Sequence, residues 1–145
     1  MTNPPDSIPR FLSAANRQMA AYMARRLEPL GLGSGQYSYL FALYREDGQT
    51  QQALADLLMV DKSAVVGAIN RLERLGYLER RSAPGDRRSF RIHLTEKGWA
   101  IRPQLEAVVE EVQEAMLEGL PPDDRAALFR LLSQVKANLS AALRP

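Results

Sequence analysis

The chain has no cysteine, and only one histidine and one tryptophan among its 145 residues. Without cysteine it has no disulfide framework, no thiolate metal site and no thiol redox switch, a composition that fits a reducing cytoplasm. The lone histidine, His93, sits between Ile92 and Leu94 in a strand-like run, and spacing suggests no partner for it. That inventory is poor for acid–base catalysis and for holding a metal, so the sequence predicts no enzyme, no metal site and no cofactor. No apolar run is long enough to cross a bilayer, and the start MTNPPDSIPR lacks a signal-peptide apolar segment. The expectation is a cytoplasmic protein with no membrane partner. There is no repeat, linker or low-complexity segment, and the length suits a single domain over 1–145.

Excess charge is also scarce, at +2 overall, but it is unevenly placed. Residues 1–60 are neutral, residues 61–94 carry eight Lys/Arg against four Asp/Glu, and residues 95–145 carry six against eight. The middle segment is therefore basic, and a local basic face attracts phosphate.

What precedes and enters that segment is QTQQALADLLMVDKSAVVGAINRLERLGYL, from Gln49 to Leu78. Thr50 can cap a helix whose apolar positions are Ala53, Leu54, Leu57 and Leu58. Asp61 can cap a second helix with Val65, Ile69, Leu72 and Leu75 on its inner face, and Gly76 suits its end. Lys62, Ser63, Val66, Asn70, Arg71 and Arg74 fall off that stripe. The pattern is a helix-turn-helix with its second helix offered to a DNA major groove; a plain helical hairpin with a solvated face is the bland alternative.

Residues 77–94, YLERRSAPGDRRSFRIHL, then read as a β-hairpin turning at Pro84-Gly85-Asp86, with Arg87 and Arg88 at or near its tip. Arginines on a slim ribbon suit a narrow minor groove, where negative potential is concentrated. Support helix, reading helix and basic hairpin in series are more specific than any of them singly.

The flanks are helical. Residues 1–7 should be a loose tail, followed by a helix from Ser7 with the stripe Ile8, Phe11, Leu12, Ala15, Met19, Tyr22, Met23 and Leu27, stopped by Pro29 and Gly31. A second helix is expected from Ser34 to Arg45, with Tyr37, Leu40, Phe41 and Tyr44 inward. Thr95 can cap the helix after the hairpin, and Pro103 should kink or break it near Trp99. Leu105, Val108, Val109, Val112, Met116 and Leu120 continue as a stripe. Pro121-Pro122 then opens a last helix lined by Leu128, Leu131, Leu132, Val135, Leu139 and Leu143. Pairing of the terminal helices with a second copy would set two reading helices on a twofold axis, matching half-sites one DNA turn apart.

These residues resemble the MarR (multiple antibiotic resistance regulator) family of winged-helix transcription factors over nearly the whole chain. The most specific parts are TQQALADLLMVDKSAVVGAINRLERLGYLERR and DRRSFRIHLTEKG. The resemblance implies a mainly α fold with a small β-hairpin wing: a winged helix-turn-helix lobe over 34–98, and dimerisation helices over 8–30 and 100–145. It implies an obligate homodimer on a pseudo-palindromic double-stranded DNA operator, usually repressing nearby genes. The wing arginine that enters the minor groove corresponds to Arg88, with Arg87 the alternative, and Asp86 helps fix the wing.

The reading helix departs from the family pattern at Ser63-Ala64-Val65-Val66-Gly67, where many relatives carry Ser-Thr-x-Thr-Arg. Valine can meet only apolar base edges and glycine offers no side chain. Direct readout then falls to Lys62, Ser63, Ala64 and Asn70, with Arg71 and Arg74 placed for phosphates. Gln51 and Val66 complete the candidate DNA-facing set. Many relatives release DNA when a small aromatic or phenolic effector lodges between the dimer helices and the winged lobe; candidates here are Arg17, Met19, Tyr22, Tyr37 and Trp99, with plain core packing as the competing reading. The rival function is a winged-helix protein-interaction module with weak or shape-only DNA binding.

Overall fold

A computed structural model describes residues 7–145, apart from the side chains of Ala83, Arg87 and Arg88. The expected tail therefore lies outside the described residues, save for Ser7. Two compact units result, Met1–Val112 and Gln113–Pro145.

In the first unit, α1 (Ile8–Leu27) gives way to a single 3-10 turn, Glu28–Leu30. Helix α2 spans Tyr37–Arg45, three residues shorter at its start than expected. The reason is local: the Gln36 side chain accepts from the Gly33 N–H at 2.8 Å and holds residues 33–36 in a turn. Helices α3 (Gln51–Leu58) and α4 (Lys62–Arg74) follow. Each begins on the expected cap, because a short oxygen-bearing side chain can satisfy a first-turn N–H at little cost. Ala53 N–H donates to Thr50 Oγ1 at 3.1 Å, and Ala64 N–H to Asp61 Oδ1 at 2.8 Å. Met59, at φ 54°, makes the left-handed turn between them. Gly76, at φ 83°, ends α4 as expected.

Strands β1 (Leu78–Ala83) and β2 (Asp86–Leu94) pair antiparallel across the two-residue turn Pro84-Gly85, with Leu78 opposite Leu94 and a register shift beside Ala83. Gln49 adds an isolated bridge to Ile92, widening the wing at its root. Thr95 caps α5 (Glu96–Ala100) through the Gly98 N–H at 3.1 Å. The break expected from Pro103 falls at Ile101, and α6 (Arg102–Leu117) starts afresh. At Gly98 an added Cβ would lie 2.2 Å from the Tyr77 carbonyl oxygen, so only glycine lets α5 approach the base of the wing.

One apolar core ties this unit together: Met23 and Leu27 of α1, Leu40 and Leu43 of α2, Leu54 of α3, Val65, Ile69 and Leu72 of α4, Ile92 of β2 and Leu105 of α6. Each such side chain, removed from water, contributes about 1.5–3 kcal/mol. Two details differ from the sequence stripes. Ala55, not Leu57, is buried in α3, and Leu57 is 52% exposed. In α2 the buried set is Tyr39, Leu40, Ala42, Leu43 and Tyr44, while Tyr37 and Phe41 are only half-buried. Both helices are too short for periodicity to fix which edge faces inward.

In the second unit, α7 (Pro122–Ala142) is preceded by a turn at Gly119 and starts on Pro122 with Asp123 and Asp124 in its first turn. Arg125 donates to the Leu120 carbonyl at 3.0 Å, bracing that turn. No residue of α7 is buried, and Phe129 is 77% exposed.

Candidate nucleic-acid interface

The reading helix is fixed by burial on one side and left open on the other. Val65, Ile69 and Leu72 are buried, whereas Lys62, Ser63, Ala64, Gly67, Arg71 and Arg74 are exposed and Val66 and Asn70 half-buried. Positions 62, 63, 66, 67, 70, 71 and 74 recur at three- and four-residue steps, so they share the outer face. At Gly67 an added Cβ would meet nothing within 4 Å, which leaves a smooth, side-chain-free patch in the middle of that face. Its outer flank is Val66, whose methyl groups offer no hydrogen bond.

Gln51 and Lys62 come together. With Thr50, Gln52, Ala55, Ser89 and Phe90 they line a cleft of about 260 Å³ between α3, the first turn of α4 and β2. Its polar groups converge where the support helix, the reading helix and the wing meet. Arg87 and Arg88 come second and third in β2, after Asp86, and their side chains lie outside the described ones. At the same end Ser89 Oγ donates to Asp86 Oδ2 at 3.1 Å.

The cations of the basic segment divide into engaged and exposed groups. Arg80 pairs with Glu73, and Arg81 with Glu79. Arg91 donates to the Gly48 carbonyl at 3.0 Å. Arg71 is exposed and donates to the Gly31 carbonyl at 3.1 Å. Lys62 and Arg74 are exposed and make no ion pair among the described residues. The +4 excess is thus partly spent within the fold, and fewer charges reach outward than the sequence count implies.

Sequence reasoning missed Arg80 and Asp47, because each acts on residues far along the chain. Arg80, on β1, bonds Asn70 and Glu73 of α4. Asp47 accepts from the Leu94 N–H at 2.8 Å and faces His93 Nδ1 at 3.2 Å, so the histidine does have a partner. Among the described residues, no cluster of His, Asp and Glu could hold a metal ion.

The effector candidates are not gathered into one site within the chain. Tyr37 and Trp99 end a run of aromatics in contact: Tyr37–Phe41 edge-to-face at 6.0 Å, Phe41–Tyr44 edge-to-face at 5.8 Å and Tyr44–Trp99 tilted at 5.5 Å between ring centroids. Within the run the Tyr44 hydroxyl donates to the Gly98 carbonyl at 2.6 Å, and burial pushes its pKa up to about 12 despite the Arg102 guanidinium over its ring. Met19 packs against the core. Tyr22 is exposed on α1, and Arg17 lines a separate open cavity with Arg10 and Phe11.

Comparison with known proteins agrees with this architecture. The MarR family profile matches residues 30–89. The uncharacterised HTH-type transcriptional regulator YybA of Bacillus subtilis is 30% identical over 110 residues, 76% of this chain and 73% of that protein. The crystal structure of a MarR transcriptional regulator from Methanosarcina mazei superposes with a TM-score of 0.89 at 31% identity, over 99% of this chain and 95% of the other. A MarR family regulator of Listeria monocytogenes, crystallised with a 26mer DNA, shares the fold at a TM-score of 0.84 and 24% identity, over 94% of this chain and 91% of that one.

Proposed function

This chain belongs to the MarR family of transcriptional regulators, which are not enzymes, and on that premise we propose that it is a homodimeric repressor binding a pseudo-palindromic operator in the cytoplasm. The observation that carries the reading is the two-sided α4: a buried inner edge, and an outer face with Lys62, Ser63 and Arg74 exposed beside a two-stranded wing. In this reading Lys62, Ser63, Ala64, Val66 and Asn70 meet base edges, Arg71 and Arg74 meet phosphates, Gln51 braces the backbone beside Lys62, and Arg87 or Arg88 enters the minor groove.

Dimerisation is supported by uncovered apolar surface. Ile8, Phe11 and Leu12 on α1, and Phe129, Leu131, Leu132, Leu139 and Leu143 at the other end, are all exposed. Apolar side chains left uncovered along a helix face are costly in water and mark an interface. Relief by a small aromatic or phenolic ligand is supported by the Tyr37–Trp99 aromatic run, with Arg17, Met19 and Tyr22 joining it from a partner or after a shift of α1. Among the described residues no helix is long and apolar enough to cross a membrane.

Footprinting on the chain's own upstream region, with and without phenolic acids, tests all three parts. Protection of two half-sites about one helical turn apart, lost on adding the acid, is the expected result. The smooth Val66–Gly67 patch favours one rival, a protein-docking winged helix. Salt separates the two: phosphate neutralisation gives a steep fall in affinity with added salt, and a flat response favours the rival.

A further inference from the structure

We infer that Arg80 is a positioning residue that sets which end of the Asn70 amide faces the major groove, and so which bases the reading helix accepts. The inference rests on the DNA-binding reading above. Arg80 reaches from β1 to α4, where Nη2 donates to Asn70 Oδ1 at 2.6 Å and Nη1 to Glu73 Oε1 at 2.7 Å. The guanidinium carbon lies 5.4 Å from the centroid of the Phe90 ring on β2. Arginine has donors and no acceptor, so the amide edge turned to it must be the oxygen. The two bonds diverge from one planar group, which matches the rigid fork of a guanidinium and not the single point of a lysine. Glu73 neutralises the charge, and the pair is part-buried, with the Arg80 side chain 27% exposed, so the clamp is not drawn off to a phosphate.

The consequence is chemical. An unconstrained asparagine reads adenine with both ends at once, its nitrogen donating to N7 while its oxygen accepts from N6. Here the oxygen is turned to Arg80 and gives it one lone pair, so the edge of Asn70 left for the groove is the amide donor, which suits guanine O6 or N7 and thymine O4. Adenine loses its particular advantage at this position. Asn70 lies half-buried on the outer face of α4, and with its oxygen turned to Arg80 the nitrogen is the end of the amide left to meet a base.

The test uses the full-length protein and its footprinted site, with the base pair under the middle of α4 varied through all four identities. Wild type is expected to bind adenine there no better than guanine or thymine. Arg80→Met keeps the aliphatic stem against Phe90 but removes the fork, and should raise the preference for adenine roughly five- to hundredfold. Arg80→Lys, which keeps a donor, should move the preference less, and Asn70→Ala added to Arg80→Met should abolish it. An unchanged ranking of the four sites in Arg80→Met overturns the inference. If that variant does not fold, Asn70→Asp decides. It retains the bond to Arg80 but offers no donor, so it should weaken guanine and thymine sites more than adenine; an equal loss across the panel overturns the inference. Failure of wild type to bind any duplex at low salt would instead strike the DNA-binding reading itself.

Discussion

At Gly67 an added methyl would meet nothing within 4 Å, whereas at Gly98 it would lie 2.2 Å from the Tyr77 carbonyl oxygen. Gly67→Ala should therefore stabilise the protein by about 0.5–1 kcal/mol, the usual gain on replacing glycine in a helix interior. Gly98→Ala should destabilise it by about 1–3 kcal/mol through overpacking, and denaturant midpoints measure both. Gly67→Arg has room for its side chain on the outer face and should strengthen or sharpen binding across a panel of sites; no change would count against the DNA-facing role of that face. Tyr44 adds a pH dependence. Burial raises its pKa to about 12, so the neutral phenol is favoured in the folded state. That contribution is complete below pH 10 and is lost as pH rises toward 12. Tyr44→Phe should flatten the fall in stability between those limits, as followed by thermal melts.

For the wing and the hairpin of α3 and α4, sequence reasoning succeeded where the cause is local. Thr50, Asp61 and Thr95 each cap a helix within three residues of the N–H they satisfy, and Pro103 breaks a helix whose backbone it cannot join. It failed where the cause is distant. Nothing in the string of letters ties Arg80 to Asn70 or Asp47 to Leu94, because only folding brings β1 against α4 and the α2 end against β2. The short helices were ambiguous for a different reason: in the eight residues of α3, the interior edge falls on Leu54 and Ala55, not on Leu57. A prediction belongs here too. Arg87→Ala with Arg88→Ala should weaken duplex binding and lower the salt slope by about 1 for each phosphate contact removed. An unchanged slope would take the wing out of the interface.

The two ends of the chain illustrate what a stripe in a sequence does and does not say. The apolar stripes of α1 and α7 were legible, but their partner was not, since periodicity shows that a face wants covering and not what covers it. Within one chain Met23 and Leu27 are buried, while Ile8, Phe11 and the α7 residues stay uncovered. Phe129→Glu, at one of the most exposed of these positions, should shift a dimer toward monomer in light scattering, with the helical content retained. A dimer that survives both this change and Leu139→Glu would place the contact elsewhere.

The root of the wing is stitched to the end of α2. Asp47 holds the Leu94 N–H, Gly48 N–H donates to the Ile92 carbonyl at 3.0 Å, and Ile92 N–H donates to Gln49 at 2.8 Å. Gly48 also sits so close to the His93 ring that a Cβ there would come within 2.8 Å of it. Such a joint binds hinge to hinge: the end of α2 and the root of β2 cannot part without giving up these three hydrogen bonds.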